Sequence, residues 1–523
     1  MRTLAADGVS DGVDDDAAPA RLGRSVTGPP WLATLALAGV VAAGVALRFV
    51  QRSPLWLDEA QSVNIASLPL GDLFEALRHD GHPPFYYLLL HGWMNLVGDG
   101  DVAVRSLSGI FAVAALPLAW IAGRRLAGRS GACWALAIVA LSPYMVRYAT
   151  ETRMYSLVML LVLAGYLLLP DALREPRPWR LAALTLVSGL LLLTQYWAFY
   201  LVAATGIVLL ARWWWRPAHR AHTGRVILAV AAGGLLFVPW LPGFLDQAAN
   251  TGTPWGEPFR PTEIVRSTLE AMGGGSIPEA ALAGVMVVVL SLVALFAARS
   301  SGHQLTLDLR TVPIVRRELA VVLLVVAFGT VAGYATDTTF QARYSAVFVP
   351  LVLLAVTVGI MRLPGVARLL VGGTYLLLSV AGIAWVNDFQ RTQAGVVADA
   401  VAEHAQPGDV VVYCPDQLGP DYSREMPDGL VELAYPALSS PELVDWVDYA
   451  ARNGAADPGR IAEEVRTRAD GHAIFLVWMS DYRTLEGQCE QLLAGLGRAA
   501  PLVLPDSDNY FEPAFLHRVG PAS

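Results

Sequence analysis

The chain has 523 residues, 55% of them hydrophobic and 16% charged, with a formal net charge of −8. Apolar residues recur in runs near the ~20 that a bilayer core requires, which excludes a soluble globular chain and indicates a mostly α, polytopic membrane protein. The acids lie mainly in the first sixteen residues and beyond residue 386, so the negative charge describes the soluble parts. Neither part is built to bind nucleic acid.

Residues 1–30 carry Asp11, Asp14, Asp15 and Asp16, followed by Arg21 and Arg24. They are too polar to pack and lack a signal-peptide cleavage pattern, so they read as a disordered cytoplasmic leader. Hydropathy over a window of about 19 residues then predicts spans near 31–50, 104–122, 131–147, 156–170, 180–194, 197–214, 225–243, 279–297, 318–335, 345–361 and 367–386, eleven in all. One set of connecting loops holds the arginine clusters at 124–129, 174–180, 212–225 and 310–317, with Arg362 and Arg368. By the positive-inside rule these loops are cytoplasmic. An odd number of spans from a cytoplasmic N-terminus places residues 387–523 outside.

The opposite face carries the chemistry. In LWLDEAQSV, residues 55–63, Asp58 and Glu59 stand side by side just after the first span. Charge held at a membrane boundary is costly and marks a functional site by default. The loop continues with GDLFEALRHD (71–80) and HPPFYYLLLHGWMNLVG (82–98), both read as helices lying in the interface. Asp58, Glu59 and His82 are thereby expected around one outer cavity, with Tyr86, Tyr87 and Trp93 forming an aromatic belt. Further outer turns are SPYMVRYATETRMY (142–155), TQYW (194–197) and DTTFQARYS (337–345).

LWLDEAQS, HPPFYYLLL, VRSLSGIFAVAALPLAWIAGRRLAG and SPYMVRYATETRMYSL, in this order and at these distances, resemble the GT-C fold, polyprenyl-phosphate-sugar-dependent membrane glycosyltransferases. The similarity, of the family 39 type, is to the branch containing protein O-mannosyltransferases, lipid A aminoarabinose transferases and lipopolysaccharide galacturonosyltransferases, and it spans roughly residues 30–390. The chain departs from the protein mannosyltransferases in having HPPFYY where they carry glycine-lysine after the prolines. The resemblance implies inverting transfer of a sugar from a polyprenyl-phosphate donor to an acceptor hydroxyl on a cell-envelope glycan, glycolipid or protein.

Such a displacement needs a base for the acceptor proton and cations for the phosphate leaving group. Asp58 resembles the family's base, with Glu59 orienting the acceptor or supporting that base. Arginine suits phosphate because its planar fork matches the oxygens and keeps its charge. Arg105 matches a family arginine. Arg153 with Tyr155 and Arg343 with Tyr344 lie at outer helix ends, where a lipid phosphate would sit. His82, Glu151, Gln195 and Tyr196 complete the expected substrate-binding set. His82 and Glu151 with Asp58 also leave a divalent metal ion open as a cofactor. A second reading keeps the same charges but makes the chain a transporter or lipid flippase with a charged translocation path.

Beyond residue 387 the apolar runs shorten to strand length at 408–414, 430–435, 473–480 and 500–506, alternating with helical patterns at 442–453, 458–469 and 484–496. This predicts a small extracytoplasmic α/β domain with a largely parallel sheet. VVVYCPDQLGP has proline where a dinucleotide fingerprint needs glycine, so no nucleotide site is expected. The domain is left with acceptor recognition, a lid or a structural role. Cys414 and Cys489 could pair if the domain is exported, and whether they do is left open by the sequence.

Overall fold

The computed structural model describes residues 30–301, 304–480, 482–504 and 510–520. The predicted leader, up to residue 29, lies outside them. Helix α1 (Pro30–Leu47) is followed, in the first long loop, which the sequence reading expects outside, by α2 (Leu57–Ser67), α3 (Leu70–Asp80) and α4 (Phe85–Val97). The membrane part continues through α5 (Asp101–Ala140), α6 (Pro143–Ala149), α7 (Tyr155–Arg174), α8 (Pro178–Thr194), α9 (Ala198–Trp215), α10 (Arg220–Phe237), α11 (Leu241–Asn250), α12 (Pro261–Gly273), α13 (Pro278–Phe296), α14 (Pro313–Thr336), α15 (Val349–Arg362) and α16 (Gly365–Asp388). A hairpin of β1 (Ala297–Ser301) and β2 (Gln304–Leu307) joins α13 to α14.

Among the described residues, seven helices are long and apolar enough to cross a bilayer, and α1, α8 and α15 are shorter apolar helices. The 40-residue α5 breaks at Ala127 and Gly128, whose backbone leaves the helical region, with Gly128 at φ +67°. Each of the eleven expected spans therefore has a counterpart. The third ends sooner than predicted, because Ser142 stops it and caps α6 by accepting from Met145 N at 3.3 Å. The first also stops early. Arg48 folds back, donating to Ala140 O and Val139 O at 2.8 Å each, and so satisfies carbonyls at the end of α5. In lipid no hydrophobic force drives helix onto helix, and packing relies on small residues and interhelical hydrogen bonds. Between α8 and α10, Thr185 Oγ1 donates to Ala229 O at 2.8 Å and Ser188 Oγ to Val230 O at 3.0 Å.

The C-terminal domain begins with β3 (Gln390–Thr392) and α17 (Ala394–Ala402), then β4 (Val410–Cys414), α18 (Gly419–Glu425) and β5 (Val431–Ala434). It continues with α19 (Tyr449–Gly454), α20 (Pro458–Ala469), β6 (Ile474–Trp478), α21 (Gln488–Leu496), β7 (Ala499–Leu502), β8 (Tyr510–Glu512) and β9 (Phe515–Val519). The main sheet has the order β5-β4-β6-β9-β7. Its first three strands are parallel, but β9 runs antiparallel to both β6 and β7. The sheet is thus mixed rather than largely parallel: FLHRV, too short a run with only Leu516 and Val519 buried to be read as a strand from sequence, adds an antiparallel strand between β6 and β7. Cys414 and Cys489 are bonded, joining β4 to α21.

The helix expected over 442–453 forms only from Tyr449. Residues 443–446 are instead spread over the outer loop, where their backbone is claimed by other partners. Gln61 bonds Val444 through both its amide atoms, at 3.1 and 3.0 Å, and Trp446 N donates to His79 O at 3.0 Å. Together with Trp56 and Leu57 packed against Val444 and Tyr449, these contacts seat the domain on α2 and α3.

Candidate active site

Helix α2 starts at one mouth of the bundle and sends its two first-turn carboxylates in different directions. Glu59 points inward and is fully buried. Its oxygens accept from Arg105 Nε and Nη2 at 2.8 and 2.6 Å, from Arg391 Nη1 at 3.1 Å and from Thr152 N at 2.8 Å. Burial alone would raise this carboxyl, but the two guanidiniums and the amide bring it from 4.5 down to about 2. A carboxylate so enclosed is an anchor, not a group for the acceptor. Arg105 is spent in the same way, since its remaining donors go to Ser53 O and Pro54 O at 2.7 and 2.9 Å. The geometry corrects both expected roles: the pair staples the first outer loop to α5.

Asp58, one residue earlier, remains partly accessible. Its Oδ2 lies 2.9 Å from Arg343 Nη1, with the two side chains 17% and 16% exposed. The contact is a close ion pair without the alignment of a hydrogen bond, so Oδ2 keeps its acceptor capacity unspent. Arg343 leaves a short 3-10 turn at 342–347, between the faces of Trp56 and Tyr344, at 5.5 and 5.9 Å from their ring centroids. Tyr344 in turn stacks on Trp197 at 5.8 Å.

Arg153 lies beneath this pair. Its Nη1 donates to Asp58 O at 3.1 Å, Ser62 Oγ at 2.7 Å and Tyr87 OH at 3.2 Å, and its Nη2 lies 2.9 Å from His82 Nε2. A guanidinium can only donate, so His82 Nε2 accepts and its Nδ1–H donates to Asp80 at 2.9 Å. Burial and Arg153 hold the His82 ring below its usual pKa, consistent with that neutral tautomer. Asp80 also accepts from Tyr87 OH at 2.7 Å; burial opposes its charge, but His82 and Arg153 bring it down to about 2. Tyr86 and Tyr87 are completely buried, which corrects the aromatic-belt reading: in place of facing headgroups, Tyr87 closes this polar chain.

The other expected residues separate. Glu151 is buried against Arg147 at 3.2 Å, and Tyr155 packs its ring on Tyr148 at 5.0 Å. With His82 facing a guanidinium and Glu151 paired elsewhere, the three expected metal ligands do not converge. Among the described residues no group of three or more His, Cys, Asp or Glu side chains could hold a metal ion. Gln195 is buried with both amide atoms unpartnered. Tyr196 donates to Gln247 and accepts from Trp240 Nε1 at 3.0 Å, within a cluster of Phe199, Phe237 and Phe244.

Four participants were missed in the sequence: Asp80, Ser62, Arg391 and Glu512. Arg391 carried a signal, being an arginine at the outer end of the last span, against the positive-inside pattern. Its Nη1 and Nη2 also donate to Thr150 O and Oγ1, both at 2.7 Å. Glu512 carried none. It reaches the start of α2 from the far end of the chain, accepting from Leu57 N at 3.4 Å. Burial, then the charges of Asp421 and Asp58, push its carboxyl well above the usual range.

Residues 81–242 match the family model described as dolichyl-phosphate-mannose-protein mannosyltransferase. Comparison with curated proteins finds no match. Among solved structures, the chain is similar to ArnT from Cupriavidus metallidurans bound to undecaprenyl phosphate, at 15% identity and a TM-score of 0.54, covering 94% of this chain and 98% of that one. Similarity to the arabinofuranosyltransferase AftD from Mycobacteria is at 17% identity and a TM-score of 0.47, covering 95% of this chain and 40% of that one. The family match over residues 81–242 carries the enzyme reading over the transporter one. The protein is a multi-pass membrane glycosyltransferase of the GT-C fold.

Proposed function

We propose that the chain moves a sugar from a polyprenyl-phosphate donor to a hydroxyl of an extracytoplasmic acceptor, a cell-envelope glycan, glycolipid or protein, with inversion. The observation that carries this reading is the Asp58–Arg343 ion pair, a partly accessible carboxylate and guanidinium 2.9 Å apart beside the buried Glu59 and Arg153. ArnT, solved with undecaprenyl phosphate, supports the donor class. In the resting enzyme Asp58 and Arg343 neutralise each other. The donor phosphate takes Arg343 as its partner, which releases Asp58 toward the acceptor. As the acceptor oxygen bonds to the anomeric carbon, Asp58 takes its proton, and the bond from that carbon to the phosphate oxygen breaks. The charge left on polyprenyl phosphate is held by Arg343. Arg153 acts through position: it fixes Asp58 by its backbone and His82 by its ring.

A labelled polyprenyl-phosphate sugar given to purified enzyme should yield labelled product. Arg343→Gln should weaken donor capture about tenfold or more, as expected for loss of a charge-assisted contact, with acceptor KM little changed. Equal losses for donor and acceptor would remove Arg343 from the phosphate site.

The arginine-rich loops support a cytoplasmic N-terminus, and the Cys414–Cys489 bond supports an extracytoplasmic C-terminal domain. A reporter fused after Ser523 should be active only outside the cytoplasm. Cytoplasmic activity would reverse the facing of the whole site.

A further inference from the structure

Chain direction places the cationic rim of a second cavity at the end of the bundle opposite Asp58. Helix α7 begins beside Arg153 and descends to Arg174, α8 returns from Pro178, and α9 descends again to Trp215. The lower half of α7, much of α8 and α9 and the start of α14 line a cavity of about 680 Å3 whose apolar part reaches up to Leu191, Leu201 and Leu351, within the range typical of small-molecule sites, about 300–1,000 Å3. Its upper wall is aliphatic, including Leu184, Val187, Leu191 and Val208. Its lower rim is cationic, with Arg174, Arg212, Arg216 and Arg317 against one acid, Glu318, and with His219 and His222.

Two of these side chains have unspent hydrogen-bonding capacity in a buried setting. Arg212 Nε and Glu318 Oε2 are both shielded from solvent and without a partner, a state that costs free energy unless a ligand supplies the missing bond. The depth of the rim is marked independently. Trp179, Trp214 and Trp215 are 58%, 66% and 76% exposed on the same face, and tryptophan concentrates at the headgroup level of a bilayer.

We propose that this cavity holds an anionic phospholipid from the leaflet opposite the transfer site, with a chain between α7, α8 and α9 and its phosphate among Arg174, Arg212 and Arg317. Glu318 selects within that class. Its shielded, unpartnered Oε2 beside the phosphate site accepts a hydrogen bond from a headgroup hydroxyl, which phosphatidylglycerol carries and phosphatidylcholine does not. A polyprenyl phosphate has no headgroup hydroxyl beyond the phosphate itself, which the arginines engage. The ligand of this rim is thereby set apart from the donor of the other face.

Protein purified in detergent from membranes containing phosphatidylglycerol should retain it in native mass spectrometry. In nanodiscs it should take phosphatidylglycerol in preference to phosphatidylcholine or undecaprenyl phosphate. Arg317→Gln, at an exposed position that does not threaten folding, should reduce retention about tenfold. Val208→Trp should reduce it by filling the apolar part while leaving the arginines in place. Equal retention of phosphatidylcholine, a preference for undecaprenyl phosphate, or unchanged retention in both variants would each overturn the assignment.

Discussion

Asp58→Asn should lower turnover by at least about 100-fold, the usual scale for loss of a general base, while donor binding is kept or strengthened. The first half follows from removing the proton acceptor with little change of shape. The second follows from the 2.9 Å pair, because Asp58 and the donor phosphate compete for the same guanidinium. Asparagine leaves Arg343 free to meet the phosphate. Turnover with a labelled donor, and donor binding by equilibrium dialysis in the same preparation, separate these effects. Near-normal turnover would dismiss Asp58 as the base. Donor binding that collapses along with turnover would mean that the carboxylate holds the site together instead of acting in it.

The largest effect on stability belongs to the neighbouring residue. Glu59→Gln keeps the volume but leaves Arg105 and Arg391 buried with no counter-charge, and breaking a buried pair from one side costs about 3–5 kcal/mol. The thermal midpoint of the detergent-solubilised protein should fall accordingly. Replacing all three together, Glu59→Leu with Arg105→Met and Arg391→Met, should recover much of that loss, since the stranded charges leave as well. A Glu59→Gln variant as stable as the parent would show that the cluster is solvated. The pH dependence has a definite sign. Because the folded-state value is depressed from 4.5 to about 2, the carboxylate's contribution is complete above the unfolded value and is lost as pH falls through that interval.

The membrane fold was legible because a bilayer imposes a length on every span, and a hydropathy window reads that length directly. Its errors came where local chemistry competes with apolarity, as at Arg48 and Ser142, each of which stops a helix inside an apolar run. The site was legible as a set of residue types but not as a set of partners. Asp58 and Glu59 are adjacent carboxylates in one short motif, and only the turn of α2 shows that one faces the accessible pair while the other is walled in. Arg105 and Arg343 are likewise both outer-face arginines, and the contacts that distinguish them lie 46 and 285 positions away in sequence, at Glu59 and Asp58. The segment 442–453 misled for a related reason: its helical pattern is outweighed by backbone bonds to Gln61 and His79, which no local signal announces.

Arg391 gives the molecule an order of manufacture. The ribosome delivers Glu59 and Arg105 early, and they can pair as soon as the second span is inserted. The ring around Glu59 closes only when residue 391 has emerged beyond the last span and returned to Thr150. Until then the first loop is held by half of its final clasp. The soluble domain cannot be regarded as an attachment added to a finished membrane unit, because its opening strand is the last piece of the clasp. Quality control acting on unpaired buried charge would therefore monitor the whole chain, from its first outer loop to the residue that follows its final crossing.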